Sequence, residues 1–131
     1  MLIEIDSHSG VPIYRQIIDQ IRSHIITERL SEGAQLPSVR DLAGRLKVNP
    51  MTISKVYSYL ENEGVVHRKR GVGLFVSKIS KNKQDKAKST MLEDVLKKAA
   101  ITAIEVGLTE KQAANMFTKL FRENYSEGRQ K

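Results

Sequence analysis

The chain has no cysteine, and this absence removes several kinds of chemistry from consideration. Disulfide bonds, thiol nucleophiles and cysteine-based zinc sites are excluded. The three histidines, His8, His24 and His67, have no His-x₃-His spacing. None of them has a carboxylate or nucleophile at a separation that one helix or strand would bring together. We therefore expect no metal site, no cofactor and no enzymatic activity.

Long apolar runs are also missing, and proline is scarce. No stretch approaches the ~18 consecutive apolar residues of a membrane helix. No long apolar segment near the N-terminus resembles the core of a secretory signal. We therefore expect a cytoplasmic protein without a membrane partner. The three prolines, Pro12, Pro37 and Pro50, lie at or near predicted helix starts, where a missing N–H is tolerated.

Acidic residues are nearly absent from one part of a basic chain. The net charge is +7, from 22 lysines and arginines against 15 aspartates and glutamates. Residues 64–88 contain eight basic residues and one acidic residue, which accounts for the whole excess. Such a segment is attracted to a polyanion whatever its sequence. A basic linker that only aids solubility is the alternative.

Two helices separated by a short turn are predicted before this basic segment. Ser38 and Asp41 have the spacing of a capping box at the start of the first helix. Its apolar residues follow at i, i+3, i+4 and i+7: Val39, Leu42, Ala43 and Leu46. Asn49 caps the second helix and Pro50 occupies its first position, and this helix extends to about Glu63. The turn of about three or four residues is typical of a helix-turn-helix.

The second helix has one apolar side and one polar side. The apolar side consists of Ile53, Val56, Tyr57 and Leu60. The opposite side begins with small or polar residues that could approach DNA bases closely: Asn49, Met51, Thr52, Ser54 and Lys55. An ordinary solvated face is the alternative interpretation.

A glycine-tipped hairpin is predicted after Gly64. Two β-prone runs, Val65–Arg68 and Leu74–Val76, are joined through a tip that contains Gly71 and Gly73. Three cations lie at or beside the tip: Arg68, Lys69 and Arg70. A helix, a tight turn, a second helix and a basic hairpin together predict a winged helix-turn-helix, a mainly α fold with a small β-hairpin.

Four ordered blocks resemble the DNA-binding domain of the GntR family of bacterial transcription regulators. They are Leu36–Ala43, Val48–Tyr57, Leu60–Gly64 and Arg70–Val76, and the resemblance covers roughly residues 12–76. The Asn-Pro-x-Thr entry to the second helix and the short C-terminal part are similar to the YtrA subfamily. The resemblance implies a dimeric repressor that binds a palindromic operator.

The family's DNA contacts match four residues of this chain: Arg40, Thr52, Arg70 and Gly71. The best-studied branch has arginines where this chain has Pro50 and Ser54, so its base contacts cannot be copied. We assign those contacts to Lys55, Asn49 and Ser54 instead. The full set of candidate DNA-binding residues is Ser38, Arg40, Asn49, Met51, Thr52, Ser54, Lys55, Arg68, Lys69, Arg70, Gly71 and Gly73.

Three further segments complete the predicted organisation. A helix runs from Pro12 to about Glu28, with isoleucine at every fourth position from Ile13 to Ile25, and supplies core to the helix-turn-helix. Met1–Asp6 is predicted to be a short extended arm. We expect a DNA-binding domain over residues 1–77 and a basic linker over residues 78–90 that frays in solution.

Residues 91–131 are predicted to form a helical hairpin for dimerisation. Gly107 ends its first helix, and Thr109 with Gln112 begins the second as a capping box. Two helices of this size cannot bury both apolar faces against each other, so a second copy is the economical partner. A hairpin folded back on its own DNA-binding domain is the alternative. The predicted dimerisation residues are Leu92, Val95, Leu96, Ala99, Ala103, Met116, Phe117, Leu120 and Phe121.

Together these features predict a homodimeric, sequence-specific regulator of transcription, expected to be a repressor acting on double-stranded DNA with an inverted repeat. The sequence assigns no small-molecule effector. Two alternatives stay open. One is a non-specific architectural or RNA-binding protein that uses the same basic hairpin. The other is a module whose C-terminal hairpin recruits a different protein.

Overall fold

A computed structural model of the chain describes residues 1–129. Its elements are α1 (Ile13–Ile26), α2 (Val39–Leu46), α3 (Pro50–Glu63), β1 (Val66–Lys69), β2 (Gly73–Val76), α4 (Lys81–Glu105) and α5 (Glu110–Arg129). The chain divides into two compact units, of which the first ends at Lys88 and the second begins at Ser89. The predicted mainly α fold with one antiparallel hairpin is confirmed. The predicted hairpin domain ran to residue 131, and residues 130 and 131 lie outside the described part.

The core of the first unit lies between α1, α2, α3 and the hairpin. It is made of aliphatic side chains and one tyrosine: Ile3, Ile17, Ile18, Ile21, Ile25, Leu36, Leu42, Ala43, Ile53, Val56, Tyr57, Leu60, Val66, Leu74 and Val76. The apolar side predicted for α3 is buried as expected, whereas on α2 Leu42 and Ala43 are buried and Val39 and Leu46 are half-buried. Ile13 is the exception on α1, because it lies in the first turn and stays 38 % exposed.

Local capping signals position the two helices of the helix-turn-helix. The Ser38 hydroxyl oxygen accepts from the Asp41 N–H at 3.0 Å, and the Asn49 side-chain oxygen accepts from the Met51 N–H at 2.8 Å. Gly64 ends α3 with a φ of +81°, a left-handed conformation that glycine adopts without steric cost. These contacts satisfy N–H groups that the first turn of a helix leaves unpaired.

Helix α1 is shorter than predicted, since it ends at Ile26 rather than near Glu28. The Leu30 N–H donates to the His24 carbonyl at 2.9 Å and folds the chain back over the end of the helix. Glu28 takes a left-handed φ of +62° within this turn. Apolar periodicity predicts a longer helix, because it carries no signal for this reversal of the chain.

The wing, residues 66–76, contains β1 and β2 in antiparallel register, with Val66 opposite Val76. β1 is shifted by one residue from the predicted run Val65–Arg68, and β2 begins one residue before the predicted Leu74. Residues 34–36 also pair with β2, through the Leu36 N–H to the Leu74 carbonyl and the Val76 N–H to the Ala34 carbonyl, both at 2.8 Å. Apolar periodicity does not predict this pairing, because a segment of three residues is too short to show a period.

The N-terminal arm lies along α1 and is held by side chains of that helix. Gln16 exchanges hydrogen bonds with the backbone of Asp6, and Gln20 does so with the backbone of Glu4, over 2.6 to 2.9 Å. Four helical residues rise about 6 Å and two extended residues about 6.6 Å, so the two spacings match. This arrangement places Ile3 in the core at 8 % exposure.

The predicted linker over residues 78–90 is wrong for most of its length, because α4 begins at Lys81. The Ser80 hydroxyl accepts from the Lys83 N–H at 3.3 Å and caps the helix. Residues 81–105 contain no glycine or proline, and lysine, glutamine and alanine all favour helices. Low apolar content therefore marked an exposed helix rather than a frayed segment, and the connection between β2 and α4 is only residues 77–80.

The second unit contains the turn between α4 and α5. Thr109 and Gln112 form the predicted capping box, with hydrogen bonds in both directions at 3.1 and 2.9 Å. Gly107 ends the preceding helix with a φ of +82°. No side chain of α4 is buried. None of the helices within residues 1–129 combines the length and the apolar character required to cross a bilayer.

Candidate nucleic-acid interface

The N-terminal ends of α2 and α3 present the exposed part of the helix-turn-helix. Arg40, Ser54 and Lys55 are exposed, Met51 is 63 % exposed, and Thr52 is half-buried. Asn49, Pro50 and Met51 are exposed at the start of α3, and the helix dipole favours an anion there. This end of α3 is therefore able to approach phosphate groups.

Two grooves meet along α3. One, of about 400 Å³, brings together four predicted residues from the start of α2, from α3 and from both strands of the wing: Ser38, Ser54, Arg68 and Gly73. The other, of about 660 Å³, is lined by four predicted residues of α3 itself: Met51, Thr52, Ser54 and Lys55. Ser54 and Ser58 line both grooves, so the concave surface is continuous from the wing across α3. The other predicted residues, Arg40, Asn49, Lys69, Arg70 and Gly71, are exposed outside these grooves.

Two of the predicted DNA-binding side chains have structural partners of their own. The hydroxyl of Ser38 and the amide oxygen of Asn49 are occupied by capping hydrogen bonds. Each oxygen retains further lone-pair capacity, but its position is set by the helix start. These residues therefore hold α2 and α3 in place whatever else they contact.

Tyr57 connects the middle of α3 to the start of α2. Its hydroxyl donates to the Pro37 carbonyl at 2.7 Å, and its ring is almost completely buried. Burial raises the pKa of Tyr57 well above its ordinary value because the phenolate would be poorly solvated, and this cause outweighs the nearby Arg45. The bond fixes the angle between the two helices beside the groove.

Replacing Tyr57 by phenylalanine should lower the free energy of unfolding by about 1–2 kcal/mol, because the partly buried Pro37 carbonyl loses its donor. The native chain should also lose stability above about pH 10, where the unfolded tyrosine ionises and the folded one does not. Urea unfolding at pH 7 and pH 10.5 checks both effects. The Tyr57→Phe variant should show a smaller loss over this pH interval than the native chain, and an equal loss would contradict the assignment.

The tip of the wing is a tight turn. The Val72 N–H donates to the Lys69 carbonyl at 2.9 Å, and Gly71 has a φ of +78°. Gly73 has a φ of +142°, and a side chain there would meet the Gln35 amide nitrogen at 2.8 Å. Gln35 donates to the Val72 carbonyl at 3.0 Å and so supports the turn from below. Gly71 and Gly73 therefore allow the backbone conformation in which the tip of the wing is exposed.

The three wing cations differ in their surroundings. Arg68 pairs with Glu61 of α3 at 3.3 Å, and the Lys69 ammonium lies 4.4 Å from the centre of the Phe75 ring. Arg70 is exposed at the tip and, among the described residues, has no such partner. Pairing reduces the charge that Arg68 offers to a polyanion, which makes Arg70 the more available of the two arginines.

Several residues that line the grooves were not selected from the sequence. Tyr14 of α1 lines the larger groove and meets Tyr59 edge-on, with ring centroids 6.5 Å apart. Ser58 and Asn62 line it as well. Tyr14 lies beside the isoleucine row of α1, and a polar-tipped aromatic at the edge of an apolar side is the signal that could have identified it.

The second unit carries the predicted dimerisation residues on exposed apolar faces. The leucines, valine, methionine and phenylalanines among them are between 39 and 64 % exposed. A groove of about 700 Å³ between α4 and α5 is lined by four of the nine: Leu96, Ala99, Ala103 and Phe117. On α5, the rings of Phe117, Phe121 and Tyr125 follow one another at 6.0 and 5.6 Å. Ile101 and Ile104, which were not predicted, are exposed too.

A winged helix-turn-helix with an exposed α3 start and a basic wing defines a class of protein, the DNA-binding regulators of transcription. Residues 13–76 match the family model described as bacterial regulatory proteins of the gntR family. The HTH-type transcriptional repressor YtrA of Bacillus subtilis is 39 % identical over 107 residues, which cover 82 % of either chain.

Solved structures agree with these matches. A GntR family transcriptional regulator from Listeria monocytogenes superposes with a TM-score of 0.74 at 27 % identity, covering 88 % of this chain and 98 % of that one. The DNA-binding domain of AraR in complex with operator ORX1 gives a TM-score of 0.50 at 25 % identity, with coverages of 59 % and 93 %. The chain belongs to the GntR family, and it is a DNA-binding transcriptional regulator similar to YtrA.

Proposed function

We propose that this regulator is a repressor that binds an inverted-repeat operator as a homodimer. The observation that carries the proposal is the pairing of one exposed DNA-reading surface with large uncovered apolar faces in the same chain. A two-fold axis between two copies would cover the apolar faces and place two reading surfaces on one duplex. The similarity to a protein named as a repressor supports the sign of regulation.

Each subunit would lay the first turns of α3 in a major groove. Met51, Ser54 and Lys55 face the larger groove and are positioned to reach base edges, with lysine suited to guanine. Arg40, at the start of α2, would hold a phosphate and fix the register. Arg70 at the exposed wing tip would reach the flanking minor groove, where cations are attracted.

We favour a second copy of this chain over a different protein as the partner that covers the apolar faces of α4 and α5. The exposed faces of α4 and α5 are rich in leucine, alanine and phenylalanine, as in helical bundles made from identical chains. Apolar faces of this extent on one helical hairpin are rare in monomers and mark an interaction surface. Aromatic side chains such as Phe117 and Phe121 provide the largest buried area per residue in such interfaces.

Selection from a random duplex pool at about 0.15 M salt, with the protein's mass in solution measured alongside, tests the proposal. An enriched inverted repeat and a mass of two chains would support it. Binding without an enriched motif, which disappears as salt rises, would favour a general nucleic-acid binder. A single-chain mass would favour a hetero-partner for the hairpin.

Replacing Arg40 by alanine should weaken binding to the selected operator by about 1–3 kcal/mol, because a charge-assisted contact is lost. Arg29 is also exposed but lies in the turn after α1, so Arg29→Ala removes the same charge as a matched control. Titration of labelled duplex at two salt concentrations measures both variants. An equal, small loss for the two would assign Arg40 a general electrostatic role only.

A further inference from the structure

A glutamine near the start of α4 attaches this helix to the end of α1. The Gln84 side-chain amide donates to the Ile26 carbonyl oxygen and to the Glu28 carboxylate, both at 3.0 Å. Ile26 is the last residue of α1, so its carbonyl has no partner within that helix. Gln84 therefore satisfies a group that the end of α1 leaves unpaired. All three residues belong to the first unit.

Glu28, the acceptor of one of these two hydrogen bonds, has an unusual backbone conformation. Glu28 has a φ of +62°, a conformation that residues with a side chain rarely adopt. Glycine normally occupies this place after a helix, because it has no side chain to clash. A glutamate is present instead, and its carboxylate accepts from Gln84. A strained residue that provides a specific contact is a candidate for a functional role.

Apolar contacts on the same side of α4 accompany the hydrogen bonds. Ile79, just before the helix, packs against the core of the first unit. Ala87, one turn after Gln84, is half-buried and lines a groove with Arg22 and Glu63. Aliphatic contacts are non-directional, whereas the two hydrogen bonds of Gln84 define one geometry. The two hydrogen bonds of Gln84 therefore contribute to fixing the rotation of the first turns of α4.

We propose that Gln84 is a specificity-determining residue, which sets the spacing between the two half-sites that the protein accepts. The inference rests on the proposed homodimer and inverted repeat. α4 continues as one helix from Lys81 to Glu105, and the proposed dimer is formed by α4 and α5. We expect a loosened start of α4 to let the protein accept more separations between half-sites than a fixed start does.

Three full-length proteins should be compared in parallel selections from one random duplex pool. Gln84→Glu keeps the size and helix propensity of the side chain but removes both donated hydrogen bonds and places a second carboxylate beside Glu28. Asn82→Asp makes the same amide-to-acid change two residues earlier, at an exposed position of the same helix. The native chain and Asn82→Asp should enrich one spacing by about tenfold or more over its neighbours, while Gln84→Glu should enrich several about equally.

A second substitution restores a hydrogen bond between positions 84 and 28, with the donor and the acceptor exchanged. In the Gln84→Glu, Glu28→Gln double variant, the amide at position 28 is able to donate to the carboxylate at position 84. Recovery of a single preferred spacing in this variant would support the direct role of the pair. Binding to an isolated half-site should be equal in all proteins, which separates a spacing effect from loss of folding.

The outcomes distinguish the inference from the function on which it rests. If the native chain selects an inverted repeat and Gln84→Glu selects the same single spacing, the inference is overturned and the proposed function stands. If the native chain selects no inverted repeat, the proposed function fails and the inference fails with it. Loss of half-site binding in Gln84→Glu alone would also overturn the inference, because the residue would then support the reading surface itself.

Discussion

Replacing Phe117 by glutamate should convert the proposed dimer into a monomer. Phe117 lines the groove between α4 and α5, and its ring lies 6.0 Å from that of Phe121. A carboxylate buried at an apolar interface without a partner is strongly unfavourable. Affinity for the inverted repeat should then fall by about 10²–10⁴-fold, because the second half-site no longer binds intramolecularly. Sedimentation and titration of operator DNA measure the two effects.

The matched control for this change is Asn115→Glu. Asn115 is exposed on α5, two residues before Phe117, and therefore lies on nearly the opposite side of the helix. It adds the same charge without entering the apolar face, so mass and affinity should stay close to native values. Binding to a single half-site should be unchanged in both variants. A Phe117→Glu protein that remains a dimer would remove this face from the proposed interface.

Replacing Leu60 by alanine should produce the largest loss of stability among the single changes considered. Leu60 of α3 is fully buried in the core that α1, α3 and the wing share. Truncation of a buried leucine costs about 2–5 kcal/mol, from lost burial and the cavity that remains. Domains of this size have only about 5–15 kcal/mol of stability, so a measurable unfolded fraction is expected at 37 °C.

The same substitution at Leu2 is the control, since this side chain is 74 % exposed. Its backbone carbonyl oxygen lies 2.8 Å from His24 Nε2, and alanine retains that carbonyl. Leu2→Ala should stay within about 0.5 kcal/mol of the native chain. Urea unfolding followed by circular dichroism compares the two variants, and similar midpoints would contradict the burial assigned to Leu60.

Most helix boundaries could be read from the sequence because their causes are local. Ser38, Asn49, Gly64 and Thr109 act within about four residues of their own positions, and each marks a helix end in the structure as expected. The apolar sides of α1 and α3 are equally local in origin, since periodicity reports which side of a helix will be buried. The same reasoning identified the exposed start of α3.

The errors fall where local signals were weak or misleading. Residues 81–90 contain few apolar side chains, a composition that predicts a frayed linker. They form helix nonetheless, because propensity and the Ser80 cap favour it without any need for a buried side. The end of α1 was misplaced because the reversal at Glu28 depends on a backbone hydrogen bond between Leu30 and His24.

The sequence alone determined the order of elements, the positions of caps and glycines, the concentration of charge in the wing, and the resemblance that indicated the family. Tertiary structure decided which distant groups meet: residues 34–36 with β2, Arg68 with Glu61, Tyr57 with Pro37, and Gln84 with the end of α1. The physical reason is the distance along the chain over which each interaction acts. Capping, turn conformation and amphipathic spacing act over a few residues, whereas these pairs exist only after the core has brought separate segments together.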